Sequence, residues 1–285
     1  MEEVLSRLKE LLAELPPHLR RAAGRVLDRP QDVAVTSMRA LAASAGVTPP
    51  TMLRLARRAG FPSYESFRAV FRTAVIGGGF RGKAASLQRL GEHGGDAGVV
   101  DRMGLAARDN IGTSFSEAGG ADMVRAAELL RHARHAYALG VGALHWMSCY
   151  LQYLGRTVLP ELTVPPANRS SAAEEMVGLG KGDVVLILSV VPYAVQMLKV
   201  AQFARASGAS VIAVTDSRGS PLAALSDVLL VAGTASPQFY PSMVGLVAII
   251  ETLIALVVSR GEDATLARIA VIDRHRRVEG GYLES

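Results

Sequence analysis

Cysteine is almost absent from this chain: Cys149 stands alone, which excludes an intrachain disulfide and fits a reducing compartment. Long apolar runs are missing too. The most apolar stretch, Val244 to Val258, is short for a bilayer and carries Glu251 in its middle, so it reads as a buried helix of a globular core. Met1 to Leu15 alternates charges with leucines at helical spacing and has no apolar segment followed by a cleavage site. It does not read as a secretory signal, and a cytoplasmic location without membrane association is expected. There is no internal repeat. Metal ligands are short as well: His132 with His135, and His145 with Cys149, sit at helical spacing without third and fourth ligands, so neither a metal nor a cofactor is expected.

Acids are nearly missing from one segment in particular. Residues 36–72 hold six arginines against the single acid Glu65, a net charge of +5, whereas residues 1–35 and 73–285 each balance to zero. The whole formal charge therefore resides in one small module. That is the electrostatic footprint of a nucleic-acid-binding head on a neutral body. A chain of 285 residues with 49% apolar content is long enough for two cores.

Residues 1–76 read as several short helices punctuated by Pro16, Pro30, Pro49 and Pro62. Residues 77–120 read as a linker with a connecting helix: Gly77, Gly78, Gly79, Gly82, Gly91, Gly94 and Gly95 predict a weakly structured connection in which Ala84 to Leu90 can form a helical turn or two, with helical spacing resuming from about Val99 to Glu117. Residues 121–285 change character. After a helix from about Ala121 to Arg131, short apolar runs without alternation (His135 to Leu139, Val184 to Leu188, Val211 to Val214, Val228 to Val231) are separated by helical stretches. Strands buried on both faces have this look, and their alternation with helices predicts a parallel sheet.

Inside the basic module, Met38 to Ala45 forms a helix with Thr36 or Ser37 as its cap, and Gly46 permits a left-handed turn. Val47 plugs the core, Thr48 caps the next helix, and Pro49 takes its first position. Met52, Leu55, Ala56 and Ala59 define a buried face; Pro50, Thr51, Arg54, Arg57 and Arg58 are expected opposite. This is a helix-turn-helix pattern. Thr36, Ser37, Thr48, Pro50, Thr51, Arg54, Arg57 and Arg58 are its candidate contacts to double-stranded DNA.

In the body, the first strand runs into Gly140-Val-Gly142-Ala-Leu-His145, a glycine-bearing turn into a helix. The second long strand ends at Ser189 before Pro192-Tyr193, and the next ends in Thr215-Asp216-Ser217. Ligands of open α/β sheets collect at such strand ends. Gly142, His145, Ser189, Tyr193, Thr215, Asp216 and Ser217 are therefore the candidate ligand residues. Catalysis would need a base, for which Glu174, Glu175 or His145 are available, but nothing pairs them with a second catalytic group, so no catalytic residue is assigned. Glu174 and Glu175 read instead as the start of a surface helix after Arg169-Ser-Ser171.

Nearly the whole chain resembles the RpiR/MurR-type transcriptional regulators. The resemblance is carried by Leu41-Ala-Ala-Ser-Ala-Gly-Val-Thr48 and Arg54-Leu-Ala-Arg-Arg-Ala-Gly-Phe61 in the head. In the body it is carried by Gly140-Val-Gly142, Gly182-Asp-Val-Val, Gly208-Ala-Ser-Val-Ile-Ala-Val-Thr215 and Ser220-Pro-Leu-Ala-Ala-Leu-Ser-Asp227. The resemblance implies an all-α helix-turn-helix domain joined to a doubly wound α/β SIS (sugar isomerase) domain. It also implies a homodimer or higher homo-oligomer, a carbohydrate-related effector, and operator binding adjusted by that effector. The alternatives are a sugar isomerase, or a DNA-binding protein whose SIS domain no longer senses. Two loops depart from the family pattern: Leu144 stands where a hydroxyl is usual, and Ser189-Val-Val-Pro-Tyr193 replaces a hydroxyl-rich cluster, with no lysine or arginine in either loop. A phosphosugar is therefore expected to bind poorly.

Overall fold

The computed structural model describes residues 1–72, 79–166 and 172–278. They fall into two compact units, Met1–Met103 with Ser217–Pro221 and Pro237–Tyr240, and Gly104–Asp216 with Leu222–Ser236 and the residues from Pro241 onward.

The first unit opens with α1 (Glu2–Leu11), α2 (Pro17–Asp28), α3 (Pro30–Val35), α4 (Met38–Ser44), α5 (Pro49–Arg58) and α6 (Tyr64–Arg72). Proline stands at the first position of α2, α3 and α5, where its missing N–H costs no helical bond. Leu8, Leu41, Met52, Leu55, Phe67 and Phe71 bury their side chains in a common core. Phe67 stands edge-on to Phe61 at 5.4 Å and 4.9 Å from Phe71. The Arg25 guanidinium bridges three helices, donating to Asp32 at 2.6 Å and to Ser44 Oγ at 3.2 Å.

α7 (Gly79–Ala118) departs from the sequence expectation, because Gly82, Gly91 and Gly94 are helical and the helix breaks only at Gly95, with φ 60° and ψ −174°. Each helical glycine costs roughly 1 kcal/mol relative to alanine, and the intervening Ala, Leu, Lys and Arg residues offset it. Gly77 and Gly78 lie outside the described residues.

The second unit continues with α8 (Gly120–Arg131), β1 (Ala136–Leu139), α9 (Ala143–Gly155), β2 (Leu162–Thr163), α10 (Ala172–Glu175), β3 (Val184–Leu188), α11 (Val195–Ala206), β4 (Ser210–Thr215), β5 (Val228–Val231), α12 (Val244–Ser259) and α13 (Asp263–Val278). The strands form one sheet in the order β2-β1-β3-β4-β5, with every pairing parallel. The four longer strands fall where apolar runs place them. β2 is only two residues long and leaves no such run. Alternate residues face opposite sides: Leu186, Leu188, Ile212 and Val214 join the core with α8, α9 and α12, while Val185, Ile187, Val211 and Ala213 join the core with α11. The second unit is thus a doubly wound α/β domain, and the first is helical.

Among the described residues no single helix is long and apolar enough to cross a membrane. α12 buries Leu246, Ile249, Ile250, Leu253 and Val257, and its Glu251 lies on the outer face, accepting a hydrogen bond from the Tyr150 hydroxyl at 2.7 Å.

The amino ends of β1 and β3 are held by Asp183, whose side chain is almost wholly buried. It accepts from the Arg134 guanidinium at 2.7 and 2.9 Å and from the Gly180 N–H at 2.8 Å, and His135 Nδ1 lies 3.3 Å away. The arginine, with help from the Gly180 N–H, holds the carboxyl at about 2, below its ordinary value of 3.8. A depressed folded-state pKa stabilises above the ordinary carboxylate range and fades as the pH falls toward 2. Asp183→Asn is therefore expected to cost about 2 kcal/mol at neutral pH. In chemical denaturation, the difference from wild type should shrink steadily below about pH 4.

Candidate functional site

Two regions gather the candidate residues. In the first, α4 and α5 are joined by a turn in which Gly46 adopts φ 61°, a conformation a β-carbon disfavours. Ser37 caps α4, its Oγ accepting from the Ala40 N–H at 3.2 Å. Leu41 and Ala42 are buried and Val47 packs against the same core. On α5, Met52, Leu55 and Ala56 are buried, followed by Ala59, while Pro50, Arg54, Arg57 and Arg58 are exposed. Among the described residues none of these three arginines forms an ion pair.

Two expectations need correction. Thr51 is buried rather than displayed, because it lies one and two turns before Leu55 and Ala59 and so shares their face. Its hydroxyl is 3.1 Å from that of Thr48, which occupies the cap position of α5 without a side-chain capping bond. Thr36 is buried as well, and its hydroxyl donates to the Asp32 carbonyl at the end of α3. Ser37, and not Thr36, is the cap. The outward set on this motif is thus Ser37, Thr48, Pro50, Arg54, Arg57 and Arg58.

The second region is the carboxyl edge of the sheet. β1 leads through α9 to β2 on one side, and β3 leads through α11 to β4 on the other, so the loops after β1 and β3 diverge between adjacent strands. Such a switch point is where open sheets bind ligands. After β1, a β-carbon on Gly140 would stand 2.6 Å from the Leu144 backbone, so glycine is required for the turn to close. Gly142 caps α9 and its carbonyl accepts from the His145 N–H at 3.1 Å. Leu144 turns into the core. His145 is half-buried; its Nε2 lies 3.6 Å from the Cys149 thiol and its ring stands edge-on to the exposed Trp146.

After β3, Ser189 continues the ladder, its N–H donating to the Val214 carbonyl at 3.0 Å. The Tyr193 hydroxyl donates to Asp216 Oδ1 at 2.8 Å, the Val191 N–H to Oδ2 at 3.2 Å, and the Thr215 hydroxyl to Oδ1 at 3.3 Å. Asp216 thereby ties the β3 loop to the end of β4. Burial pushes its carboxyl above the ordinary carboxylate value, against the opposing pull of these donors. Ser217 Oγ accepts from the Gly219 N–H at 3.0 Å, shaping the turn that follows. Glu174 and Glu175 close the short α10; Arg169, Ser170 and Ser171, expected to cap it, lie outside the described residues.

Sequence reasoning missed Asn110 and Ser114 on α7. The buried Asn110 side chain donates to the Ala235 carbonyl at 2.7 Å and accepts from the Ala235 N–H at 2.9 Å. Ser114 Oγ accepts from the Gly233 N–H at 2.9 Å. Together they fasten α7 to the loop leaving β5. A lone Asn and Ser four residues apart carry no local signal that a partner lies more than a hundred residues away.

A model of the SIS domain matches residues 129–259. The chain is 26% identical over 232 residues to the HTH-type transcriptional regulator HexR of Pseudomonas aeruginosa, covering 81% of this chain and 79% of that protein. Among solved structures, the sugar isomerase domain of an RpiR transcription factor from Sphaerobacter thermophilus superposes with a TM-score of 0.58 at 24% identity, over 62% of this chain and 98% of that one. Residues 129–259 thus match a SIS domain, and the chain is similar to an HTH-type regulator over most of its length. Vibrio vulnificus NanR, solved in complex with ManNAc-6P, shares the fold over 96% of this chain and 98% of its own, with a TM-score of 0.57 and 19% identity. Other curated relatives, named bifunctional protein glk, come from Paraburkholderia and Burkholderia species, and the chain spans about a third of their length.

The two caps of the motif should respond differently to truncation. Ser37→Ala is expected to lower stability by about 1 kcal/mol, the usual cost of a lost capping bond. Thr48→Ala should cost less than half of that in the same thermal melt.

Proposed function

We propose that this protein is a transcriptional regulator whose helix-turn-helix binds operator DNA and whose SIS domain binds a small carbohydrate-related effector that adjusts that binding. The observation that carries the reading is α5. One face is locked into the core by Met52, Leu55, Ala56 and Ala59, and the other offers Pro50, Arg54, Arg57 and Arg58 to solvent within residues 36–72, whose net charge is +5. A helix so fixed and so charged suits the major groove, with arginines at phosphates or guanines.

The named functions of HexR and of the RpiR factor support regulation, and the ManNAc-6P bound to NanR supports an effector of the carbohydrate class. Catalysis draws less support, because the buried acid at the strand ends, Asp216, is engaged by three donors rather than poised as a base. Two copies would present two heads to a roughly palindromic operator, and the protein would act in the cytoplasm. Helices between about Val99 and Arg131 carry the effector's influence; Asn110 and Ser114 are the points at which α7 is joined to the sheet's carboxyl edge. For this to work the effector must bind two arrangements unequally.

Replacing Arg54 and Arg58 together with alanine should weaken operator binding and reduce the slope of log K against log salt by up to about 2. Unchanged binding in a gel-shift titration would contradict the DNA reading. Asn110→Ala should leave effector-free operator affinity within about threefold, while shrinking the effector-induced change by about tenfold. An unaltered effector response would remove Asn110 from the coupling path.

A further inference from the structure

The guanidinium of Arg7, which belongs to α1 and lies outside the basic module, rests against the carboxyl end of α5. A β-carbon on Gly60 would stand 2.8 Å from Arg7 Nη1, 3.1 Å from its Cζ and 3.2 Å from its Nη2. Gly60, with φ 92°, closes α5: its N–H donates to the Arg57 carbonyl at 3.0 Å, and the Phe61 N–H donates to the Ala56 carbonyl at 3.0 Å. Glycine serves twice here, supplying the left-handed turn and leaving room for the guanidinium. Val4 and Leu8 are buried in the helical core and fix the side of α1 from which Arg7 reaches.

Two carboxylates are nearer to Arg7 along the chain. Glu3 and Glu10 stand four residues before it and three after it, the spacings at which helical ion pairs form. Among the described residues Arg7 pairs with neither, nor with any other group, and it is exposed. Its N–H donors are therefore turned outward beside Arg57 and Arg58, which are exposed in the same way. The length of α5 says what lies there. Its ten residues extend about 15 Å, whereas the major groove is about 12 Å wide. With its amino end at base edges, its carboxyl end comes up against the sugar–phosphate strand that borders the groove.

We propose that Arg7 is a backbone-phosphate contact of the DNA-binding head, gripping the strand at the carboxyl end of α5. The proposal rests on the reading of α5 as the DNA-binding helix, and it adds a residue from a segment whose charges sum to zero. Such a contact sets the position of α5 on the duplex without reading sequence.

Because phosphate contacts are independent of sequence, the test needs no operator. The full-length protein is titrated onto a random-sequence duplex of about 40 base pairs, by fluorescence anisotropy, between about 50 and 200 mM salt. Arg7→Ala is expected to lower affinity about fivefold and to reduce the slope of log K against log salt by about 1. Arg7→Lys should keep the slope, because counterion release follows charge. Lys9→Ala removes the same charge from the same helix, about 200° around it from Arg7, and should leave the slope at the wild-type value. If Arg7→Ala does not fold, Arg7→Gln keeps most of the stem and should show the same loss of slope. A wild-type slope in the folded Arg7 variant would overturn the proposal, as would an equal loss in Lys9→Ala. A lowered thermal midpoint with an unchanged slope would also overturn it, leaving Arg7 as a cation that only complements the end of α5. The Arg54 and Arg58 double variant, titrated alongside, separates the two readings. Loss of slope there but not at Arg7 removes this contact and keeps the DNA reading, whereas loss at Arg7 alone supports the contact and counts against α5. No loss in either removes both.

Discussion

Parallel pairing of β3 with β1 on one side and β4 on the other governs the α/β half of this protein. Parallel strands oblige each connection to return across a face of the sheet, so all carboxyl ends lie on one edge and all amino ends on the other. The loops following Leu139, Leu188 and Thr215 become neighbours for that reason alone. Asp216 can then accept donors from the β3 loop and from its own strand end, although Val191 and Asp216 are twenty-five residues apart. The opposite edge holds a different carboxylate in a different role: Asp183 is paired with Arg134 and secures where β1 and β3 begin.

The two carboxylates differ in the chemistry of their partners. Asp183 faces a guanidinium, which holds its proton affinity low and keeps it charged. Asp216 has only neutral donors, and burial dominates. A neutral donor set satisfies a buried carboxyl without the pull on its proton that a guanidinium exerts.

The helical unit obeys a simpler constraint. Its core is satisfied by leucine, alanine and phenylalanine faces at helical spacing, which leaves the arginines of α5 with no structural task inside it. Charge is concentrated on the element that packing leaves exposed. The SIS match covers the sheet-bearing part alone, and the similarity to HexR extends over 81% of the chain.

Much of this was legible in the chain itself. Unalternating runs such as Val184 to Leu188 declared buried parallel strands, and the capping, turn and periodic signals from Ser37 to Ala59 declared two helices and their inward faces, because those signals arise from interactions within a few residues. Local reasoning failed where the deciding partner was remote or the pattern was short. Thr51 was misplaced by one helical position, β2 was too brief to register, and Gly82, Gly91 and Gly94 were read as a linker although they lie in helix and only Gly95 breaks it. Composition and spacing by themselves determined the two architectures, the basic module and the strand-end residue types. Only tertiary structure decided that Asp216 would be saturated by Tyr193, Val191 and Thr215, and that Asn110 would grip Ala235, since hydrogen bonds between distant segments depend on where the fold brings their atoms and leave no periodic trace in the sequence.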